Sequence, residues 1–331
     1  MSSTIIDIAR DCGYSKATVS RAFAKPEAVS PKAREKIYAS AKKLNYAPNV
    51  IARAMVTRRT ENIAFIIHEK QYPAILNPFY SPILETVLQE ANRRNYSLFI
   101  GARQDMLLPN NQFSIKRQMD GVIFAGEVDK PLIQALRAQS IPVVLLNNHW
   151  ELEGLPCVEA DHFAGAVEAT RHLVRRGHTR IGLMAGLFSK QVREARFQGF
   201  RSVLNEAGLP LDTRFVKELE PTLEVADAEM TRLLGEGDCP TAFFCTNDTI
   251  AVGAMKAILR AGRRIPQDIA LVGFDDSYLS RVVEPGLTTI RVDPERMGRI
   301  ASEKLFAMID GGEGAGEIIR LKPELIQRGT T

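Results

Sequence analysis

The chain has 331 residues, of which 45% are hydrophobic and 25% charged, a composition typical of a globular protein with two or three domains and no membrane span. The net charge of +4 is uneven: residues 1–60 hold twelve Lys or Arg and four Asp or Glu, whereas the other 271 residues hold 31 basic and 35 acidic side chains. A basic segment of this kind indicates a polyanionic partner, and the lack of a secretory signal pattern predicts a cytoplasmic protein.

Three short helices are predicted in the N-terminal segment. Thr4 begins a capping-box pattern, and Gly13 ends the first helix at a position where a tight turn needs a positive φ. Ser15 is placed to cap the second helix, and Ser30, which precedes a proline, to begin the third. This arrangement predicts a helix-turn-helix head.

The second helix has two different faces. Val19 and Phe23 lie on the side that packs against the first helix, which leaves Arg21 free to make a bidentate contact to guanine in a major groove. Hydroxyl side chains near the helix ends are suited to phosphates, which position the head without specifying sequence. The predicted DNA-binding residues of the head are Thr4, Ser15, Lys16, Ala17, Thr18, Ser20, Arg21, Ser30 and Tyr46. The alternative is a helical hairpin that only packs.

Three runs of residues in the head carry a family resemblance. D-I-A at 7–9, S-K-A-T-V-S-R at 15–21 and L-N-Y-A-P-N at 44–49 resemble the head of the lactose/galactose-repressor (LacI/GalR-type) family of transcription regulators. The resemblance continues through the body and covers nearly the whole chain.

The resemblance implies a hinge helix that folds on operator DNA and enters the minor groove. It assigns DNA contacts to Asn49, Ala52 and Met55. Met55 stands where the family usually has Leu as a wedge, and an apolar, flexible Met can still separate a base step.

The rest of the chain alternates short apolar strands with longer helices. The predicted strands are 62–67, 97–101, 121–125, 142–147, 180–184, 214–219, 241–246 and 269–274, and helices are predicted at 81–95, 163–176, 191–207 and 248–262. This alternation favours parallel sheets covered by helices, and two successive series indicate two similar lobes.

The expected fold class is therefore α/β, with an N-terminal all-α helix-turn-helix head and a two-lobed body with parallel sheets. The family resemblance makes that body a periplasmic-binding-protein type I fold whose chain crosses between lobes near residues 161, 291 and 322. The expected domains are a DNA-binding domain at 1–47, a hinge and linker at 48–60 and an effector-binding and dimerisation body at 61–331. Lobe 1 is expected to comprise 61–161 and 291–322, and lobe 2 to comprise 162–290 and 323–331.

A ligand site is expected between the lobes, at the carboxyl ends of the strands. By resemblance, the residues that contact the effector are Phe79, Tyr80, Asn147, Arg196, Asn247 and Asp275. Arg and Asp facing each other suit hydroxyl-rich ligands, since each can hold two hydroxyls. Asn and Asp after strands also serve as turn residues and helix caps, and Asp248 is expected only to cap the helix that follows it.

The sequence departs from the family at the segment 219–221. Many members carry an aromatic residue there that stacks on the ligand, whereas this chain reads L-E-P. Glu220 is therefore predicted to face the cleft, which indicates a ligand with more donors or a cation.

The predicted function is a homodimeric repressor that binds a pseudo-palindromic operator and is switched by a sugar-like effector. The alternative is a cytoplasmic sugar-binding or sensing protein without operator specificity. An enzyme is not expected, because no nucleotide-binding glycine motif or nucleophile elbow occurs, and the adjacent Asp275 and Asp276 point to opposite sides of a strand end. The four cysteines form no C-x-x-C pair and no His lies at metal-ligand spacing, so no catalytic residue, cofactor or metal is predicted.

Overall fold

The computed structural model describes residues 3–24, 26–46, 59–67, 74–102, 119–127, 130–148, 154–312 and 316–331. The chain divides into two compact units, one of residues 1–62 with 116–120 and one of residues 63–115 with 121–331. The predicted hinge contacts Asn49, Ala52 and Met55 lie outside the described residues. None of the described helices has the length and apolar character needed to cross a bilayer.

The head contains three helices, α1 (Ile5–Cys12), α2 (Lys16–Ala24) and α3 (Pro31–Lys43). Their apolar positions meet in a small core in which Ile8, Val19 and Ile37 have no exposed surface. The turn between α1 and α2 depends on Gly13, whose φ of 74° favours glycine over any residue with a Cβ.

Lobe 1 of the body is a six-stranded sheet. Its strands are β1 (Asn62–Ile67), β2 (Ser97–Ala102), β3 (Gly121–Ala125), β4 (Val143–Leu146), β5 (Cys157–Ala160) and β11 (Ile318–Leu321), in the order β11-β5-β4-β3-β1-β2. Its described helices are α4 (Tyr80–Arg93), α5 (Lys130–Ala138) and α11 (Pro294–Ile309). The register is parallel at β1–β3, β3–β4, β4–β5 and β5–β11, which explains the nearly continuous burial of β1 and β3.

Lobe 2 is a second six-stranded sheet with helices on both faces. Its strands are β6 (Ile181–Gly186), β7 (Val216–Leu219), β8 (Ala242–Cys245), β9 (Ala270–Asp275), β10 (Thr288–Arg291) and β12 (Glu324–Ile326), in the order β12-β10-β9-β8-β6-β7. Its helices are α6 (His162–Arg175), α7 (Lys190–Glu206), α8 (Leu223–Gly235), α9 (Asp248–Arg260) and the short α10 (Leu279–Val282). Only β12 runs antiparallel to its described neighbour, β10.

Alternation along the strands of lobe 2 separates two cores. Phe244 and Val272 pack with α6 and α7, whereas Phe243 and Leu271 pack with α8 and α9. The close approach of α6 and α7 requires Gly199, because a Cβ there would lie 2.6 Å from the Phe163 carbonyl oxygen.

The chain passes between the two sheets three times. It leaves lobe 1 between β5 and α6, returns between β10 and α11, and leaves again between β11 and β12. Each lobe is therefore built from separate stretches of sequence, and the carboxyl ends of β1, β3 and β4 face those of β6 to β9 across one cavity.

The α/β fold class is confirmed, and each of the eight predicted strands has a counterpart. The segment predicted as a strand at 214–219 begins with a 3-10 turn at Thr213–Phe215, and only Val216–Leu219 is strand. The sequence reasoning missed β5, β10, β11 and β12, which have three or four residues each and include charged side chains or threonines. It also missed α5, α8, α10 and α11.

Candidate functional site

The outer face of α2 is exposed on the head. Lys16, Ala17 and Arg21 are exposed there, while Val19 on the opposite face is fully buried. Arg21 makes no ion pair or hydrogen bond with any described residue. The helix thus presents two cationic side chains around a small alanine, which allows close approach to a groove.

Several of the other predicted DNA-binding residues shape the head itself. The Thr4 backbone N–H and hydroxyl both donate to Asp7, at 2.9 and 2.7 Å. Ser15 accepts from the Thr18 N–H at 3.1 Å, and Ser30 accepts from the Ala33 N–H at 3.4 Å.

Ser20 and Tyr46 are half-buried, and the Tyr46 ring lies 5.6 Å from that of Phe23. The structure places all nine described residues on the head, and their contacts with DNA stay predictions.

The body contains a cavity of about 630 Å³ between its two lobes. Lobe 1 contributes residues that follow β1, β3 and β4, and lobe 2 contributes residues that follow β6 to β9. All seven residues predicted to contact an effector line it, namely Phe79, Tyr80, Asn147, Arg196, Glu220, Asn247 and Asp275. Residues almost 200 positions apart in the chain thus meet at the carboxyl ends of the strands.

Arg196 on α7 lies at the floor of this cavity and is 5% exposed. Its guanidinium lies 3.8 Å from Asp275 and 3.8 Å above the Phe274 ring. It also donates to the Thr246 carbonyl oxygen and, at 3.3 Å, to Nδ1 of His162. Burial lowers the pKa of Arg196 to about 10, so the side chain stays protonated at neutral pH.

Lobe 1 supplies a hydroxyl and an amide to the same floor. Tyr80, the first residue of α4, is buried, and its hydroxyl faces the Asn147 side chain. Burial raises the pKa of Tyr80 above its usual value, so the hydroxyl remains a neutral donor and acceptor. Phe79 packs edge-on against it, with ring centroids 5.1 Å apart. The floor therefore combines polar groups from both lobes.

Asp275 is held by an irregular segment at the end of β9. Asp275 and Asp276 both have positive φ, 112° and 53°, which non-glycine residues adopt only where the surroundings hold them. The neighbouring Asp248 carboxylate accepts from the Ser277 N–H at 2.6 Å and from the Thr289 hydroxyl at 2.5 Å. Gly273 makes room for this carboxylate, because a Cβ there would lie 2.5 Å from it.

The prediction that Asp248 only caps a helix is wrong. Asn247 is the residue that caps α9, accepting from the Ile250 N–H at 2.9 Å, whereas Asp248 is the first helical residue and is buried. Burial raises the pKa of Asp248 to about 7, and burial likewise raises that of Asp275.

Asp276 points away from the cavity, as the alternation of side chains at a strand end predicts. Its carboxylate pairs with Arg328 at 2.5 Å and with Arg291 at 2.8 Å. Although burial opposes ionisation, these hydrogen bonds hold the pKa of Asp276 below its usual value. The pairs tie the end of β9 to β10 and to the C-terminal segment.

Sequence reasoning missed His162, Phe188 and Phe274, which surround the Arg196 guanidinium. Phe274 directly precedes Asp275 in the chain, and this position was the one signal available in the sequence. His162 opens α6 in a distant part of the chain, and nothing local in the sequence links it to Arg196. Among the described residues, no group of three or more His, Cys, Asp or Glu is arranged to hold a metal ion.

Comparison with known proteins follows the same division into head and body. Residues 4–49 match the family "Bacterial regulatory proteins, lacI family", and residues 170–331 match a periplasmic binding protein-like domain. The HTH-type transcriptional repressor PurR of Haemophilus influenzae is 33% identical over 98% of this chain and 98% of its own length.

Two solved structures are similar along nearly the whole chain. One is the lac repressor dimer bound to operator and the anti-inducer ONPF, with a TM-score of 0.84, 26% identity, and coverage of 100% of this chain and 99% of that one. Another is the complex of the transcriptional regulator CelR with cellobiose, with a TM-score of 0.74, 28% identity, and coverage of 99% and 100%.

Proposed function

Because this chain belongs to the LacI family of bacterial regulatory proteins and is a DNA-binding transcription regulator, we propose that it is a dimeric repressor controlled by a sugar-like effector. Two heads bind the half-sites of a pseudo-palindromic operator, and the effector binds in the cavity between the lobes. The observation that carries this proposal is the convergence of all seven predicted contact residues on one cavity.

The head supports the DNA-binding half of the proposal. Arg21 and Lys16 stand exposed on one helix whose opposite face is locked into the head core by Val19. In this geometry α2 enters the major groove, Arg21 contacts a base edge and the hydroxyl residues position the head on phosphates. The excess positive charge of residues 1–60 attracts the head to DNA of any sequence.

The cavity supports the effector half. Arg196 and Asp275 from lobe 2 lie beside Tyr80 and Asn147 from lobe 1, so one hydroxyl-rich molecule can hydrogen-bond to both lobes at once. A ligand that contacts both lobes stabilises the lobe arrangement in which all its contacts form. We propose that this shift changes the pairing of the two hinges, and with it the affinity for the operator.

Exposed apolar side chains on lobe 1 support dimerisation. On the edge strand β2, Phe99 is 55% and Ile100 is 44% exposed, and on the neighbouring helix α4, Leu88 is 37% exposed. On lobe 2, Val225 and Leu259 are exposed on the packed helices α8 and α9. Apolar groups grouped in this way are typical of protein interfaces, and a second copy of the chain is the partner that a palindromic operator requires.

Selection of binding sites from a random DNA library by the full-length protein tests this function. The expected result is enrichment of one pseudo-palindrome whose half-sites are about one helical turn apart. The Arg21→Ala variant is expected to enrich a less specific set. Absence of any enriched sequence with the unaltered protein would contradict operator recognition.

A further inference from the structure

The cavity between the lobes has an excess of negative charge. Its charged lining residues, within the described part of the chain, are Arg196, Asp275, Glu127, Glu220 and Glu224. One cation thus faces four carboxylates. Burial raises the pKa of Asp275, which reduces its share of this charge, whereas the Glu220 and Glu224 side chains are exposed.

The single cation is already committed to protein groups. Arg196 pairs with Asp275 at 3.8 Å and donates to the Thr246 carbonyl oxygen and to Nδ1 of His162. Its Nε atom is buried and has no hydrogen-bond partner among the described residues. An anionic ligand would therefore have to compete with Asp275 for this guanidinium, whereas a ligand hydroxyl can share it.

The carboxylates of Glu220 and Glu224, on another part of the cavity wall, have acceptor atoms that need hydrogen-bond donors. Glu220 follows β7, and Glu224 lies in the first turn of α8. Neither side chain forms an ion pair or hydrogen bond with a described residue. The N-terminus of α8 favours an acidic residue such as Glu224 for helix stability alone, but Glu220 precedes the helix and its Thr222 cap and gains nothing comparable.

We propose that the effector carries no phosphate or carboxylate group and places hydroxyl or ammonium donors against Glu220 and Glu224. This inference rests on the proposed function and specifies the chemical class of its ligand. A sugar fragment with free hydroxyls occupies the floor beside Arg196 and Asp275, and its donor-rich end reaches the two glutamates. Anionic sugars are repelled by the carboxylates, and the one cation among the described lining residues is already paired with Asp275.

The experiment compares compounds that differ in charge on a shared skeleton. The full-length protein is mixed with glucose, glucosamine, glucose 6-phosphate and glucuronate, with ribose and ribose 5-phosphate, and with cellobiose. A bacterial metabolite extract divided by ion exchange into anionic, neutral and cationic fractions is tested in parallel. Melting temperature and affinity for the selected operator are measured for each sample.

The expected result is that neutral or cationic compounds shift both quantities and that their phosphate or carboxylate forms bind at least about 10-fold more weakly. The Glu220→Gln/Glu224→Gln variant is expected to bind the active compound about 10-fold more weakly, because charged acceptors form stronger hydrogen bonds than amides. The control Glu295→Gln/Glu303→Gln alters two exposed glutamates of α11 that do not line the cavity, one of them also in a first helical turn. Its affinity is expected to be unchanged.

Three outcomes would overturn the inference. If only anionic compounds shift the operator affinity, the protein is controlled by an effector, but the inference that this effector carries no phosphate or carboxylate is wrong. If the glutamine variant binds as tightly as the control, Glu220 and Glu224 do not contact the effector. If no compound or fraction acts, effector control itself is contradicted and the inference falls with it.

Discussion

Replacing Arg21 by alanine tests how the head distinguishes DNA sequences. Arg21 is exposed on α2 and makes no ion pair or hydrogen bond with any described residue, so its removal is expected to change stability by less than about 0.5 kcal/mol. A bidentate contact to guanine contributes about 1 to 3 kcal/mol of discrimination. A dimer makes this contact twice, so the variant is expected to lose about 2 to 6 kcal/mol, or at least about 30-fold, of preference for its operator.

The assay is fluorescence anisotropy at one fixed salt concentration. The selected operator is compared with the same duplex carrying a substituted base pair in each half-site and with unrelated DNA. Arg21→Ala is expected to bind all three with similar affinity. The control Lys42→Ala removes an exposed cation of the same head, on α3, and is expected to keep its preference. If Arg21→Ala loses the same amount of affinity for every DNA sequence, Arg21 contacts only phosphates.

Three further variants test the body. Asp275→Asn is expected to weaken effector binding about 100-fold in calorimetry, since it loses charge-assisted hydrogen bonds of about 1.5 to 3 kcal/mol each. The control Asp268→Asn lies outside the cavity and is expected to retain its affinity. If both variants bind the effector equally tightly, Asp275 does not contact it. Because burial raises the pKa of Asp248 to about 7, the folded state binds more protons than the unfolded state between about pH 4 and 7, so stability falls as pH rises through that window. Asp248→Asn is expected to flatten the pH dependence of the melting temperature. An unchanged slope would contradict the raised pKa of Asp248. Phe99→Asp is expected to shift the protein towards monomer in sedimentation, whereas Ile318→Asp at the opposite edge of the same sheet is not; an intact dimer would exclude β2 from the interface.

The head was the part most completely predictable from sequence. Its caps and its turn depend on local chemistry, so Ser15, Ser30 and Gly13 could be assigned without knowing the rest of the fold. Burial of Val19 and exposure of Arg21 follow from helical periodicity alone.

The cavity was predictable as a location but not as a set of contacts. Parallel strands place their carboxyl ends together, which sufficed to bring Asn147, Asn247 and Asp275 to one site. The role of Asp248 was not predictable, because its partners Ser277 and Thr289 come from a turn and a strand that the sequence did not reveal. Local patterns identify a helix start, but they do not show which carboxylate the tertiary fold buries.

The short strands escaped prediction for a related reason. β10 reads T-T-I-R, and two of its residues are buried threonines whose polarity hides the strand. Their hydroxyls are satisfied by tertiary partners, as when Thr289 donates to Asp248. Periodicity of apolar residues cannot detect a strand that is buried through hydrogen bonds.

The most direct test of effector-controlled operator binding is one titration of the full-length protein with its selected operator, repeated across a salt series with and without the active sugar. We expect tight binding to the operator, a steep loss of affinity with salt, and a change in affinity of at least about 10-fold on adding the sugar. Weak binding that is the same for every DNA sequence and unaffected by any compound would contradict it.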